Sequence, residues 1–392
     1  MYKSFFGLYY TKKNYSIIYL KMKKKGVFIA ATGQNQGKTT TSLAIFRKLL
    51  GEYDDLSFMK PVGQRTIEVH GETADEDAVL MKEVFSLKSN ANIMSPVTVP
   101  RGFTKDYLDG NKSNASIKKS IVSGWNELAK NGNPVIVEGT GHAGVGSVFG
   151  MNNAQVAKSL DLPVIMIAGG GIGRPLDEIS LNLAIFKQEG VKVEGVIFNK
   201  TEKSKKEQVE KYCTKFLDKL GISCLGVIEY NKVLENPSLR RLQMDLDAKV
   251  LSGDKNLDIV PLKIIAGAGV LDYILDKTFK RTVVVTPASR SDVIIAAAYN
   301  FSLSKSGENK TPSEFIGLVL TGDQDPHPEI LVNAQQSGIP ILRTKCDTYE
   351  AIELIDHSLG KTLATDQEKL KIINKIYDKS INWNKIIDII EK

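Results

Sequence analysis

The chain has 392 residues, 42% hydrophobic and 25% charged, a composition suited to roughly two or three globular domains of about 150 residues each. Its formal net charge of +7 belongs to residues 1–25, where Lys3, Lys12, Lys13, Lys21, Lys23, Lys24 and Lys25 stand without a single acid. The rest of the chain is formally neutral, which argues against a general nucleic-acid-binding surface. Apolar runs such as Leu162–Ala168 fall far short of the roughly 18 residues of a membrane span. Cys213, Cys224 and Cys346 lack C-x-x-C spacing, so no disulfide framework is expected and the reading is cytoplasmic. Four scattered histidines without cysteine partners argue against zinc.

In chain order, the lysine- and aromatic-rich segment 1–25 has neither a secretory nor a transit signature; translation is expected to begin at Met22, with a membrane-touching basic arm as the alternative. Residues 26–31 predict a short buried strand, and Thr39–Leu50 a helix. Further apolar runs predict strands at Leu56–Met59, Pro134–Val137, Leu162–Ile167, Val193–Phe198 and Ile222–Ile228. Helical stretches separate several of them: Ile117–Ala129, Ala154–Leu160, Leu176–Gln188 and Lys205–Leu220. Strands alternating with helices imply a mostly parallel sheet covered on both faces. Asn231–Ser252 is polar and helical in tendency, broken at Pro237. A second series follows, with strands at Leu262–Ala266, Thr282–Thr286, Phe315–Leu320 and Ile339–Arg343 and helices at Asp292–Phe301 and Glu329–Gln336. Lys305–Ser313 is the most loop-like stretch, and Asp366–Lys392 is amphipathic and helical.

The most specific signal is Thr32-Gly33-Gln34-Asn35-Gln36-Gly37-Lys38-Thr39, set between a strand and a helix. Backbone N–H groups there, through the helix start at Thr40, can point at phosphate oxygens, and the helix dipole adds positive potential. Lys38 supplies a mobile charge for the β- and γ-phosphates, and the Thr39 hydroxyl a magnesium ligand. Thr32 stands where the usual pattern has its first glycine. Glu138, at the carboxyl end of a strand, and Asp77, before the helical stretch Val79–Val84, could complete a magnesium site; Asp77 could equally be a helix cap. Lys60 ends an apolar strand and could neutralise a transferred phosphoryl group. Arg174, after a glycine-rich turn, has a phosphate-side or interface reading beside that of a plain chain reversal. Asn199 could read a purine edge or cap a turn.

With these residues placed, residues 26–230 resemble the dethiobiotin synthetase and cobyrinic acid a,c-diamide synthase group of P-loop proteins. The pieces occur in family order: Gly37-Lys38-Thr39, Lys60-Pro61-Val62, Asp77, Val137-Glu138-Gly139, Leu162–Ile165 and Gly195–Asn199. Residues 231–355 look like a DRTGG domain, through Val283–Asp292 and Leu320-Thr321-Gly322. The pairing is similar to the N-terminal part of large bacterial phosphotransacetylases, without the catalytic domain. The resemblance implies an α/β fold: a P-loop NTPase domain over 26–230 with helices on both faces, a smaller α/β DRTGG-like domain over 231–355, and a helical region over 356–392. It also implies that Lys38, Thr39, Asp77 and Glu138 handle ATP and magnesium, that Lys60 serves the transition-state charge, and that Asn199 contacts adenine. Gln64-Arg65 departs from the family's serine on the substrate side, and Cys346 lacks the context of a glutaminase nucleophile. Three readings stay open: a nucleotide- or metabolite-sensing regulatory module with weak ATP hydrolysis, an ATP-dependent carboxylate- or carbamate-activating ligase, and an oligomerisation protein. A small-molecule ligand and a homo-oligomer are the expected partners.

Overall fold

The computed structural model describes residues 25–69, 71–310 and 313–392. The basic tail before Lys25 and the expected start at Met22 lie outside the described residues.

Six strands form the first sheet, in the order Ser223–Glu229, Val193–Thr201, Val164–Gly169, Gly26–Ala31, Val135–Glu138 and Ser57–Met59. Every pairing is parallel. Val27–Ala31, Val135–Val137 and Val164–Ala168 are fully buried. Strands apolar on both faces need cover on both, and the helices that alternate with them supply it: Lys38–Leu49, Asn114–Leu128, Arg174–Gln188 and Lys206–Asp218. Register then places the site. Ile29 pairs with Glu138 and Gly169 with Asn199, so Glu138, Asn199 and the loop after Ala31 share the carboxyl edge of the sheet. Residues 62–98 leave the sheet as two small strand pairs and the helix Glu76–Phe85.

The expected C-terminal helical region joins this first core. Helices Gln367–Ser380 and Trp383–Glu391 bury Ile373, Tyr377, Ile386, Ile389 and Ile390 in it. The link between them runs along the edge strand, where Ile381 bridges Gly226 and the Asn382 N–H donates to the Leu225 carbonyl at 2.8 Å. Glycine is required at 226, because a Cβ there would stand 2.2 Å from the Ser380 carbonyl oxygen.

The second sheet has the order Lys249–Ser252, Ile341–Arg343, Phe315–Thr321, Thr282–Pro287 and Lys263–Ala266. Its first pairing is antiparallel and the others are parallel. Alternation feeds two cores: Val283 and Val285 pack with Leu239 and Leu242, while Val284 packs with Val293 and Ile294. Asn231–Ser252 is only partly helical. Helices Lys232–Glu235 and Leu239–Asp245 flank Pro237, but Lys249–Ser252 is an edge strand whose exposed to half-buried side chains carry no apolar run. The stretch expected to be loop from Lys305 begins two residues late, since the helix Ser291–Ser306 stops at Gly307. Among the described residues no helix is long and apolar enough to cross a membrane.

Candidate functional site

The loop between Ala31 and Lys38 is held from several sides. The Thr32 N–H donates to the Ile167 carbonyl, and Asn182 Nδ2 donates to the Thr32 carbonyl at 3.2 Å. Gly37 precedes the helix with φ of 91°, and a Cβ there would lie 2.1 Å from Asn199 Nδ2. Only glycine satisfies both the dihedral and the approach. Asn199 itself braces the loop: Nδ2 donates to the Gln36 carbonyl at 2.9 Å, and Oδ1 accepts from the Lys200 N–H.

Lys38 is buried and reaches back over the loop. Its Nζ donates to the Gly141 carbonyl at 2.9 Å and lies 3.4 Å from the Gly33 carbonyl. Burial, joined by the charge of Lys60, pulls it down to about 8.

Next to it lies a compact cluster of oxygens. Thr39 Oγ1 donates within 3.0 Å of Asp77 Oδ1 and 3.1 Å of Glu138 Oε1. Lys60 Nζ sits between the same two carboxylates, 2.6 Å from Asp77 Oδ2 and 2.8 Å from Glu138 Oε1. Burial alone would lower the Lys60 ammonium, but Asp77 and Glu138 overrule it and hold it well above the ordinary lysine value. Burial would raise Asp77, yet Lys60 and Thr39 keep its carboxyl below the usual range. At Glu138 burial prevails over Lys60 and the carboxyl rises.

Asp75, not Asp77, caps the helix Glu76–Phe85, accepting from the Asp77 N–H at 3.0 Å. That leaves the Asp77 carboxylate free to face Thr39 and Lys60. Burial, with the neighbouring Asp77 charge and against the pull of Lys60, pushes Asp75 up to about 7. Ser42, one turn beyond Thr39, donates to Glu138 Oε2 at 2.8 Å. Asn153 fixes the turn after Glu138 by bonding the Thr140 N–H and the Thr140 and His142 carbonyls. Sequence reading missed Ser42, Asp75 and Asn153; the i+3 spacing of Ser42 from Thr39 was the one available signal.

These groups open into one cavity. Gln34, Asn35, Gly37, Lys38, Thr39, Thr40, Lys60, Asp77, Glu138 and Asn199 line it. Thr32, Gly33 and Gln36 support the loop without lining the cavity. Arg174 is exposed, pairs with Glu178 on its own helix at 2.6 Å and is not among the lining residues, although Glu178 also accepts from Thr32 Oγ1 at 3.3 Å. The cavity also has a wall that sequence reading did not foresee. Tyr230, Asn231, Leu234, Glu235 and Leu359–Thr362 contribute to it, the last arriving from beyond the second sheet. Ion pairs join the parts, among them Arg241 with Glu76, and Arg281 with Glu368 at 2.7 Å.

A parallel sheet with a Gly-Lys-Thr loop between its central strand and the following helix defines a P-loop NTPase domain, here followed by a smaller α/β unit. The chain belongs to the AAA_26 family of AAA domains, whose model matches residues 25–238, more than half its length, and a DRTGG domain model matches residues 241–358. It is 22% identical over 373 residues to the phosphate acetyltransferase of Synechocystis sp., covering 93% of this chain and 52% of that protein. The chain thus spans about half the length of the phosphate acetyltransferases it matches. It is 26% identical over 206 residues to the ATP-dependent dethiobiotin synthetase BioD of Bacillus cereus, covering 52% of this chain and 83% of that protein. Among solved structures, the MinD cell division protein of Aquifex aeolicus overlaps 53% of this chain and 83% of its own, at 14% identity and a TM-score of 0.33. The resemblance read from the sequence therefore stands for both halves.

Proposed function

We propose that this chain is an ATP-binding regulatory module, in which the DRTGG unit and the segment after it sense whether the loop 33–40 is occupied. The observation that carries this reading is the shared wall: Leu359–Thr362 lines the same cavity as Lys38 and Thr39. In this reading the loop N–H groups and Lys38 hold the β- and γ-phosphates, and Asn199 keeps the loop in shape while its amide borders the adenine end. Thr39, Asp77 and Glu138 would hold magnesium. The donors suit that ion: they are hard oxygens, with the Thr39 hydroxyl about 3 Å from each carboxylate, and the Lys60 ammonium already lies between the two carboxylates. When bound, the ion supplies positive charge to the phosphate oxygens. Lys60, locked in its protonated form, adds a fixed charge toward the transferred phosphoryl group.

A second reading is an active ligase, in which a carboxylate or carbamate oxygen takes the γ-phosphoryl group and ADP leaves. The Lys38 and Lys60 pair beside the carboxylates favours it. Titration calorimetry with Mg-ATP should give heat for the wild type and none for Lys38→Ala. Hydrogen exchange should then slow at 239–245 and 359–362 on ATP addition. No nucleotide heat sinks both readings. Product formation from labelled ATP, diaminononanoate and bicarbonate moves the assignment to the ligase. Homo-oligomer formation belongs to the regulatory reading and is measured by light scattering with and without ATP.

A further inference from the structure

Two cations in the cavity wall have no role in the reading above. Arg65 follows the strand Val62–Gly63, and Lys361 lies in the segment after the second sheet; both line the cavity. Only the main chain of Arg65 is engaged, its N–H donating to Asp75 Oδ2 at 3.3 Å; among the described residues its guanidinium has no ion-pair partner. Lys361 is 17% exposed, and its nearest carboxylate oxygen is Glu76 Oε2 at 3.7 Å, beyond hydrogen-bond reach. The other oxygen of Glu76 is taken by Arg241, which also holds Asp245 at 2.8 Å. Arg241 thus occupies Glu76 and Asp245, and Lys361 stands among these two carboxylates with the charges of Arg241 and Arg65 both bearing on it. Burial pulls Lys361 below the ordinary lysine value, with Glu76 pulling against it and Arg241 and Arg65 adding to it. An incoming anion would relieve all three cations.

The wall that carries Lys361 is built rather than loose. The Gly360 N–H donates to the Glu235 carbonyl at 2.6 Å, and the fully buried Lys369 ammonium donates to the Lys361 carbonyl. The backbone position is thus fixed, while the ammonium lacks a close partner.

We propose that Arg65 and Lys361 form a second anion subsite of this cavity, which takes a small molecule bearing a phosphate or carboxylate group beside the nucleotide. The proposal rests on reading the cavity as the ATP site. A triphosphate already has the loop, Lys38 and Thr39, so these two cations are left over for a second ligand. A guanidinium matches either group with paired hydrogen bonds.

The test titrates the full chain, saturated with Mg-ADP, with inorganic phosphate and separately with succinate. At least one probe should bind in the millimolar range or tighter, and the stronger of the two names the anion. Arg65→Gln and Lys361→Met should each weaken that probe by at least about ten-fold. Mg-ADP affinity should change less than about two-fold, as expected for groups that do not touch the nucleotide. Lys361→Arg should retain binding, and unchanged urea midpoints confirm that the variants fold. Absence of heat from both probes overturns the proposal, as do variants that bind the probe like wild type. So does a loss confined to Mg-ATP affinity, which would assign these cations to the nucleotide. Titrating the probes into the nucleotide-free protein and into Lys38→Ala separates this failure from failure of the ATP reading.

Discussion

Replacing Lys60 by methionine keeps the side-chain length and removes the charge. Lys60 is 4% exposed and bonds Asp77 at 2.6 Å and Glu138 at 2.8 Å, with Glu138 fully buried. Its removal leaves the fully buried Glu138 carboxylate, and the partly exposed Asp77 carboxylate beside it, without their counter-charge. Breaking a buried ion pair by deleting one partner costs about 3–5 kcal/mol, and that is the expected loss near neutral pH. The sign with pH follows from the shifts. Lys60 is raised, so its contribution is complete below 10.5 and is lost only as pH climbs through the higher folded value. Asp77 is lowered, so its contribution is present above 3.8 and fades as pH falls through the lower folded value. In the variant only Thr39 and the charge of Lys38 still oppose burial and mutual repulsion, so both carboxylates rise and its deficit narrows on acidification as they protonate. The assay is urea unfolding followed by tryptophan fluorescence. Both tryptophans of the chain, Trp125 and Trp383, belong to the first core, so the signal reports that unit. Millimolar magnesium should recover part of the loss. A deficit below about 1 kcal/mol, the size of an exposed pair, would refute the burial argument, and so would a deficit that widens as pH falls.

Two further outcomes follow from the same geometry. Lys38, at about 8, loses its charge in the free protein as pH rises, and a triphosphate should draw the proton back. Mg-ATP affinity should therefore decline between pH 7 and pH 9, with proton uptake near pH 8 measured by calorimetry in buffers of different ionisation heat; a pH-independent affinity would contradict this. Thr41 donates to the Gly37 carbonyl, so the buried Tyr377 hydroxyl must donate to Thr41 Oγ1, 2.9 Å away. Tyr377→Phe should cost about 0.5–1.5 kcal/mol in urea unfolding and leave Mg-ATP affinity within two-fold. A larger effect on binding than on stability would show that the hydroxyl does more than tie the C-terminal helix to the loop helix.

Much of the first unit was legible because its physics is local. Val27–Ala31 and Val164–Ala168 are apolar on both faces, a pattern that fits a covered parallel strand, and their short length between turn signals sets them apart from helices. The loop was legible because glycine, lysine and threonine sit together at a strand–helix junction. What sequence missed depends on partners far along the chain. Amphipathicity told that Gln367–Ser380 buries a face, but not that the face meets the helix behind the phosphate loop. Lys249–Ser252 was hidden because an antiparallel edge strand needs backbone pairing more than apolar side chains. That Asp75 and not Asp77 is the cap turned on a shift of two residues in where the helix begins. The wall at Leu359–Thr362 could not be inferred, since no local pattern says that a segment returns across more than three hundred residues to face Lys38.

That return has a bearing on how the molecule is made. The first core is closed by residues after 366, yet the second unit is encoded between them and the first sheet. At synthesis rates of 5–20 residues per second, the central strands wait on the order of ten seconds for the isoleucines that seal them. During that interval the edge strand at Gly226 and the outer side of the helix carrying Thr41 lack the cover that Tyr377 and its neighbours later supply, so the nascent chain exposes apolar surface that the finished protein hides.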